Sequence, residues 1–244
     1  MKLLLADNSN TRTKFAFASD GELADPFWIP TEALSEASIS DALGDQTFDA
    51  AVLCSVVPAT RVLLEDFLSE RAPVHVLGPA SPLGIGIDYP DPASIGADRL
   101  ANAIGVAHRH RTPAVVIDFG TAVTFDVVSP APAYCGGVIA PGLGAMGDYL
   151  SRRTALLPRV ELEEPASAIG KSTAAAMQAG AVIGYRGLVR EILGAIRAEL
   201  EEAAVAVATG GDAALIARGV PEIEAVDPDL TLHGLRLLGQ RVFG

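Results

Sequence analysis

Short apolar runs, each cut off by polar turn residues, organise this chain. Leu3 to Ala6 leads into Asp7-Asn8-Ser9-Asn10-Thr11 and then a second apolar run, Lys14 to Ala18. The same pattern returns later: Ala114 to Ile117, then Asp118-Phe119-Gly120-Thr121-Ala122, then Val123 to Val128. Each copy predicts a strand, a tight turn and a returning strand, with an acidic residue where the first strand ends. A duplicated unit predicts two similar lobes. Between the copies, Phe48 to Cys54 and Val74 to Leu77 predict buried strands, while Ala59 to Glu70 and Ala97 to His108 carry the spacing of amphipathic helices. Beyond the second copy the pattern predicts a strand near Gly137 to Ala140, the turn Pro141-Gly142 and a helix to Arg153. A long helix follows from about Ser172 to Glu201, then a strand at Val205 to Ala208, the turn Thr209-Gly210-Gly211 and two further helices. Strands alternating with helices make this an α/β protein. The boundary between lobes falls near Arg111 to Pro113, giving an N-terminal lobe over 1–111 and a C-terminal lobe over 112–244.

Composition narrows the picture. Half of the 244 residues are hydrophobic, enough for a substantial core. The opening apolar run meets Asp7 too soon to be a signal peptide or a membrane span, so a soluble cytoplasmic protein is expected. A formal charge of −12 argues against a nucleic-acid or anionic-membrane surface, both of which need clustered Lys and Arg. A nucleotide remains compatible with that charge, because backbone N–H groups, a helix N-terminus and a metal ion can supply local positive potential. Cys54 and Cys135 sit in apolar runs and are read as reduced core residues. His75, His108, His110 and His233 show no metal-ligand grouping.

The candidate chemistry begins with the acidic turns. An Asp at a strand end, followed by small and hydroxyl-bearing residues, can hold a metal-bound water while turn N–H groups cradle phosphate oxygens. A single such turn is explained as readily by hairpin geometry; two copies, one in each lobe, favour the phosphate reading. Gly210-Gly211 after a strand permits close backbone approach to a flat ligand. Gly170-Lys171-Ser172-Thr173 looks like the end of a P-loop, but Pro165 stands where the first glycine belongs and no buried strand precedes it. That segment is read instead as a helix start, whose hydroxyls either cap the helix or meet a polar ligand. Gly96-Ala97-Asp98-Arg99 opens another helix, and alone it reads as a cap with a salt bridge.

Together, Gly96-Ala97-Asp98-Arg99, Asp118-Phe119-Gly120-Thr121-Ala122, Gly137-Val138-Ile139-Ala140-Pro141-Gly142, Gly170-Lys171-Ser172-Thr173 and Thr209-Gly210-Gly211 resemble the ordered motif set of type III pantothenate kinases, from residue 2 to about 240. The resemblance implies two ribonuclease-H-like lobes of the actin-like ATPase (ASKHA) architecture, a homodimer, and transfer of the ATP γ-phosphoryl group to the primary hydroxyl of pantothenate, the first step of coenzyme A biosynthesis. It makes Asp98 the general base, with Tyr89, Gly96, Ala97, Asp98, Arg99 and Thr173 holding pantothenate. It gives ATP to Asp7, Asn8, Ser9, Asn10, Thr11, Arg12, Thr13 and Lys14, with Thr121, and a monovalent cation (K+ or NH4+) to Asp118; Mg2+ accompanies ATP. The family's usual Asp-x-Gly-Asn-Thr is here Asp7-Asn8-Ser9-Asn10-Thr11, so Ser9 stands in a glycine's place, where a side chain is expected to crowd phosphates or strain the turn. That departure favours the rival reading, a non-catalytic relative resembling the Bvg accessory factor; Asp98, Arg99, Asp118 and Thr173 speak for the kinase. A sugar or acetate kinase of the same architecture fits less well, lacking the Gly-Ala-Asp-Arg segment. Ala176, Gly180 and Gly184, at four-residue spacing on the long helix, are expected to face a dimer partner or else to pack within one lobe.

Overall fold

The computed structural model describes residues 1–200 and 202–244; Glu201, the last residue of the long helix as read from the sequence, lies outside the described residues. Two compact units emerge. The first comprises Met1–Arg109, Pro132–Tyr134 and Asp229–Gly244, and the second His110–Ala131 and Cys135–Pro228.

In the first unit the strands are β1 (Lys2–Asn8), β2 (Arg12–Ser19), β3 (Glu22–Leu23) and β4 (Phe27–Pro30), followed by α1 (Glu36–Leu43), β5 (Ala50–Ser55), α2 (Pro58–Ser69), β6 (Val74–Val76), β7 (Gly86–Ile87) and α3 (Ala97–Arg109). The sheet runs β3-β2-β1-β5-β6, with β4 also on β2. The β1–β2 hairpin is antiparallel, whereas β5 joins β1 in parallel after a helical crossover. Alternation along the hairpin sorts its side chains by face. Leu4, Ala6 and Phe15 pack with Ile39, Leu53, Leu64 and Leu68 into one core. Leu3, Leu5, Asp7 and Lys14 point to the other face.

The second unit contains β8 (Ala114–Phe119), β9 (Ala122–Val128), β10 (Ala133–Pro141), α4 (Leu143–Arg153), α5 (Thr173–Leu200), β11 (Val205–Gly210), α6 (Ala213–Ala217) and β12 (Ala225–Val226). Its sheet runs β10-β9-β8-β11-β12, and the first two residues of β10, Ala133 and Tyr134, which belong to the first unit, pair there with β7. The hairpin again lies in the middle, and again a parallel strand joins the hairpin's first strand. This is the arrangement of the first unit, so the duplication read in the sequence is a duplication of topology. Val115, Ile117, Phe119, Val123 and Phe125 face α5, where Val182, Tyr185 and Val189 complete the core. The final helix, α7 (Leu230–Phe243), returns to the first unit, where Thr231 Oγ1 donates to the buried Asn102 Oδ1 at 2.7 Å. No helix among the described residues is long and apolar enough to cross a membrane.

Candidate functional site

The first acidic turn is held by a buried polar network. Asn8 Oδ1 accepts from Ser55 Oγ at 2.7 Å and Thr60 Oγ1 at 2.9 Å, while Asn8 Nδ2 donates to Thr13 Oγ1 at 2.8 Å. Thr13 in turn shares a 3.1 Å hydrogen bond with Thr31, whose hydroxyl donates to Ser9 O at 2.6 Å. Asn8 and Thr13 are buried and direct their side chains into this network, while Asn10, Thr11 and Arg12 stand exposed at the turn. Ser55, Thr60 and Thr31 carry no motif signal, and the sequence reading missed them. Replacing Asn8 with Ala removes all three of its side-chain hydrogen bonds from this network, at about 0.5–1.5 kcal/mol each. Calorimetry should find the Tm lowered by roughly 5–10 °C for a chain of this size; a Tm within about 2 °C of the parent would show that the network does not brace the turn.

Ser9 does not strain this turn. Among the described residues Asp20 alone of the non-glycines has a positive φ, so the backbone at Ser9 lies in the ordinary range and needs no glycine. Ser9 N donates to Arg12 O at 3.3 Å to close the turn, and Ser9 Oγ donates to Asp7 Oδ1 at 3.2 Å. The expected backbone strain is absent, and the hydroxyl orients the carboxylate of Asp7.

The segment at the start of α3 forms a second cluster in the same unit. Asp98 Oδ1 accepts from the Arg99 N–H at 2.8 Å. Burial pushes the Asp98 carboxyl above its ordinary pKa, opposed by that hydrogen bond and by the Arg99 charge. Gly96 makes room for this arrangement, since a Cβ there would lie 2.6 Å from Asp98 Oδ1. Arg99 lies 5.5 Å from the ring of Tyr134, and Tyr134 meets Tyr89 edge-on with centroids 5.9 Å apart. Tyr134 is fully buried and belongs to the part of β10 that pairs with β7. It ties Tyr89 to Arg99, and the sequence reading missed it because a lone Tyr in an apolar strand looks like core.

In the second unit, Asp118 ends β8, opposite Thr124 on β9 and Thr209 on β11. Thr124 Oγ1 donates to Asp126 Oδ2 at 3.0 Å, and Asp118, Thr124 and Asp126 share the face turned away from the α5 core. Gly210 has φ +91°, and a Cβ there would lie 2.7 Å from Asp118 Oδ1 and 2.6 Å from Phe119 O. A side chain would therefore fill the space beside this carboxylate. Carboxylate and hydroxyl oxygens suit hard cations rather than soft ones, and among the described residues no group of three or more His, Cys, Asp or Glu is placed to hold a metal ion. Thr121 is exposed in the β8–β9 turn, its carbonyl accepting from Gly142 N at 3.1 Å.

Ser172 caps α5 by accepting from Ala175 N at 3.2 Å, which leaves Thr173 exposed at the first helical position. Neither helix nor strand occupies 154–172, consistent with the rejection of a P-loop. Arg186 on α5 anchors that segment with paired bonds to Glu164, Nη1–Oε1 at 2.9 Å and Nη2–Oε2 at 2.6 Å. Nothing lies within 4 Å of a Cβ built at Gly180 or Gly184, whereas Ala176, one turn earlier, has Gly170 packed against its backbone.

The description "Type III pantothenate kinase" belongs to the family model that matches residues 3–195. A type III pantothenate kinase of Akkermansia muciniphila is 56% identical over 238 residues, covering 97% of this chain and 98% of that one. Among solved structures, a Campylobacter jejuni chain assigned to the Baf family of transcriptional activators aligns with TM-score 0.63 at 20% identity, covering 98% of each chain. MreB 5 of Spiroplasma citri, bound to AMPPNP, aligns with TM-score 0.55 at 10% identity over 99% of this chain and 96% of that one. At such identities the structural likeness shows the fold alone, which is the actin-like architecture. The match to the family model and the near full-length identity go further: this chain belongs to the type III pantothenate kinase family.

Proposed function

We infer that this protein phosphorylates the primary hydroxyl of pantothenate with ATP, giving 4'-phosphopantothenate at the entry to coenzyme A biosynthesis. The observation that carries this is the 56% identity to a type III pantothenate kinase over nearly the whole chain. The regulatory alternative has only a fold likeness at 20% identity behind it.

The residue roles rest on the motifs and on the chemistry of each cluster. Asp98 takes the proton of the attacking hydroxyl; its raised pKa makes the carboxylate a stronger base than a solvated one. Tyr89, Gly96, Ala97, Arg99 and Thr173 hold pantothenate, with Arg99 suited to the substrate carboxylate through its planar fork. Turn N–H groups and the exposed side chains of Asp7 to Lys14 receive the ATP phosphates, and Thr121 touches the nucleotide. Phosphoryl transfer needs chiefly positioning and charge neutralisation, which these groups supply. Mg2+ would accompany ATP, and Asp118 would hold a monovalent cation, K+ or NH4+, which would supply positive charge near the phosphates. The threonine hydroxyls of Thr124 and Thr209, on the strands that flank Asp118, and the close approach of the Gly210 backbone to its carboxylate support that assignment.

A cytoplasmic homodimer is the form we propose. In support, the open face of Gly180 and Gly184 adjoins a groove of about 460 Å³ lined by Met146, Leu150, Leu157 and Met177. A second copy of this chain would bury it.

Tyr134 gives a test of the pantothenate cluster. Tyr134→Leu removes the ring against which Tyr89 and Arg99 rest, and should raise KM for pantothenate about 5–20-fold, from roughly 1–2 kcal/mol of aromatic and cation–π contact. Tyr134→Phe should recover most of the loss. An unchanged KM in the leucine variant would separate Tyr134 from substrate binding. The proposed reaction is tested by pantothenate-dependent ADP release in K+, NH4+ and Na+ buffers. Release in K+ or NH4+ that collapses in Na+ is expected, and release that ignores pantothenate would refute the acceptor.

A further inference from the structure

Trp28 is the only tryptophan of the chain and stands 52% exposed on β4. Its position is not that of an ordinary surface residue. Strand pairing places it opposite Lys14, and Lys14 opposite Asp7, so the three form one row across β4, β2 and β1 on one face of the sheet. Arg12, two residues from Lys14 on the same face, lays its guanidinium over the indole at 4.5 Å from the ring centroid. Among the described residues no carboxylate pairs with Arg12, so the ring is its neighbour in place of an acid. Phe15 and Phe27 stack one rung further along the same strand pair, with centroids 5.4 Å apart, which fixes the register that brings Trp28 to Arg12.

Stacking has a directional consequence. A guanidinium lying on an indole has one face covered, while its N–H edges stay in plane and available to phosphate oxygens. The ring also limits the rotamers Arg12 can visit, so less conformational freedom is lost when a phosphate is gripped. We propose that Trp28 is a positioning residue for nucleotide binding: it holds Arg12 as a preformed fork at the Asp7–Lys14 turn, aimed at the polyphosphate of a nucleoside triphosphate. This rests on the reading of that turn as the phosphate-binding element. It names a residue outside the motif set and gives Arg12 a function that its place in the turn alone does not specify.

The full-length enzyme tests this through a double-mutant cycle. Trp28→Leu should raise KM for ATP roughly three- to fivefold, as expected for an exposed cation–π contact. The effect should fall on KM for ATP rather than on kcat or KM for pantothenate, and Trp28→Tyr should restore most of it. Arg12→Gln should raise KM for ATP at least as much, and the double variant should be no worse than Arg12→Gln, because both changes remove one device. Fluorescence supplies an independent readout without turnover. AMPPNP should change the emission of the lone tryptophan saturably, and the change should be lost in Arg12→Gln. Fully additive effects, or an unaltered KM for ATP in Trp28→Leu, would overturn the proposal. Calorimetric binding of AMPPNP with no change in emission would overturn it while leaving the nucleotide reading intact. Absence of calorimetric binding to the parent protein would overturn both.

Discussion

Asp98→Asn should lower kcat for pantothenate phosphorylation by a factor of about 10² to 10⁴, the usual contribution of a positioned general base. The substitution keeps the shape of the side chain and removes its ability to take a proton. Its effect on stability should have the opposite sign. Burial raises the folded-state pKa of Asp98, so the ionised carboxylate is disfavoured in the fold, and stability from this group is lost as pH rises through that raised pKa. At pH 7 the neutral amide escapes this penalty, and the variant's Tm should equal or exceed that of the parent. Loss of activity with retained or increased stability separates a catalytic role from a structural one. The pH profile gives the same information in the parent enzyme. As pH falls through the pKa of Asp98 the base is protonated, so kcat/KM should drop tenfold per unit, with the limb above the ordinary carboxylate range. Full activity in Asp98→Asn would remove Asp98 from the chemistry.

Gly210→Ala should be damaging on two counts. The backbone there has φ +91°, a conformation alanine resists, and the added Cβ would collide with Phe119 O and with the carboxylate of Asp118. Relief requires β11 to shift against β8, or Asp118 to turn away. Strain and displaced packing together should destabilise the protein by about 2–4 kcal/mol, or roughly 4–16 °C in Tm. The activity remaining below that temperature should lose its dependence on K+, because the carboxylate proposed to hold the cation is the group displaced. Gly211 is the control: nothing lies within 4 Å of its Cβ and its φ is not positive, so Gly211→Ala should leave the Tm nearly unchanged. Equal effects at both positions would mean that the glycine pair matters only as a flexible turn.

The duplicated strand–turn–strand pattern was legible because each first strand is a short apolar run, buried on both faces, that leads into an Asp at its end and a polar turn. The helices Ala97–Arg109 and Thr173–Leu200 were legible as long stretches of helix-forming residues, although Ala97–Arg109 buries Leu100 to Val106 without a break. Other elements left little trace. Phe27–Pro30 is a four-residue strand that carries a proline, and Glu36–Leu43 buries only Ile39 and Leu43, so neither shows a full period. Nothing in the pattern of Leu230–Phe243 says that it belongs with the first unit; that follows from small residues such as Gly234, which sits against the Ala101 backbone.

The candidate site divides in a similar way. Asp98, Arg99, Asp118 and the glycines were found because they form motifs. Asn8 was found for its position in the turn, but its buried bonds to Ser55, Thr60 and Thr13 depend on partners far along the chain, which no local pattern reveals. Tyr134 likewise acts through neighbours distant in sequence. The strain expected of Ser9 came from the part of the glycine rule that applies where φ is positive, and at this turn it is not.

The most direct test of the central claim is mass-spectrometric detection of 4'-phosphopantothenate from purified protein, ATP, Mg2+, K+ and pantothenate, with Asp98→Asn run alongside. The account predicts stoichiometric product with the parent protein and almost none with the variant at equal folded concentration. A folded parent protein that binds AMPPNP but forms no phosphopantothenate at saturating substrates would contradict it.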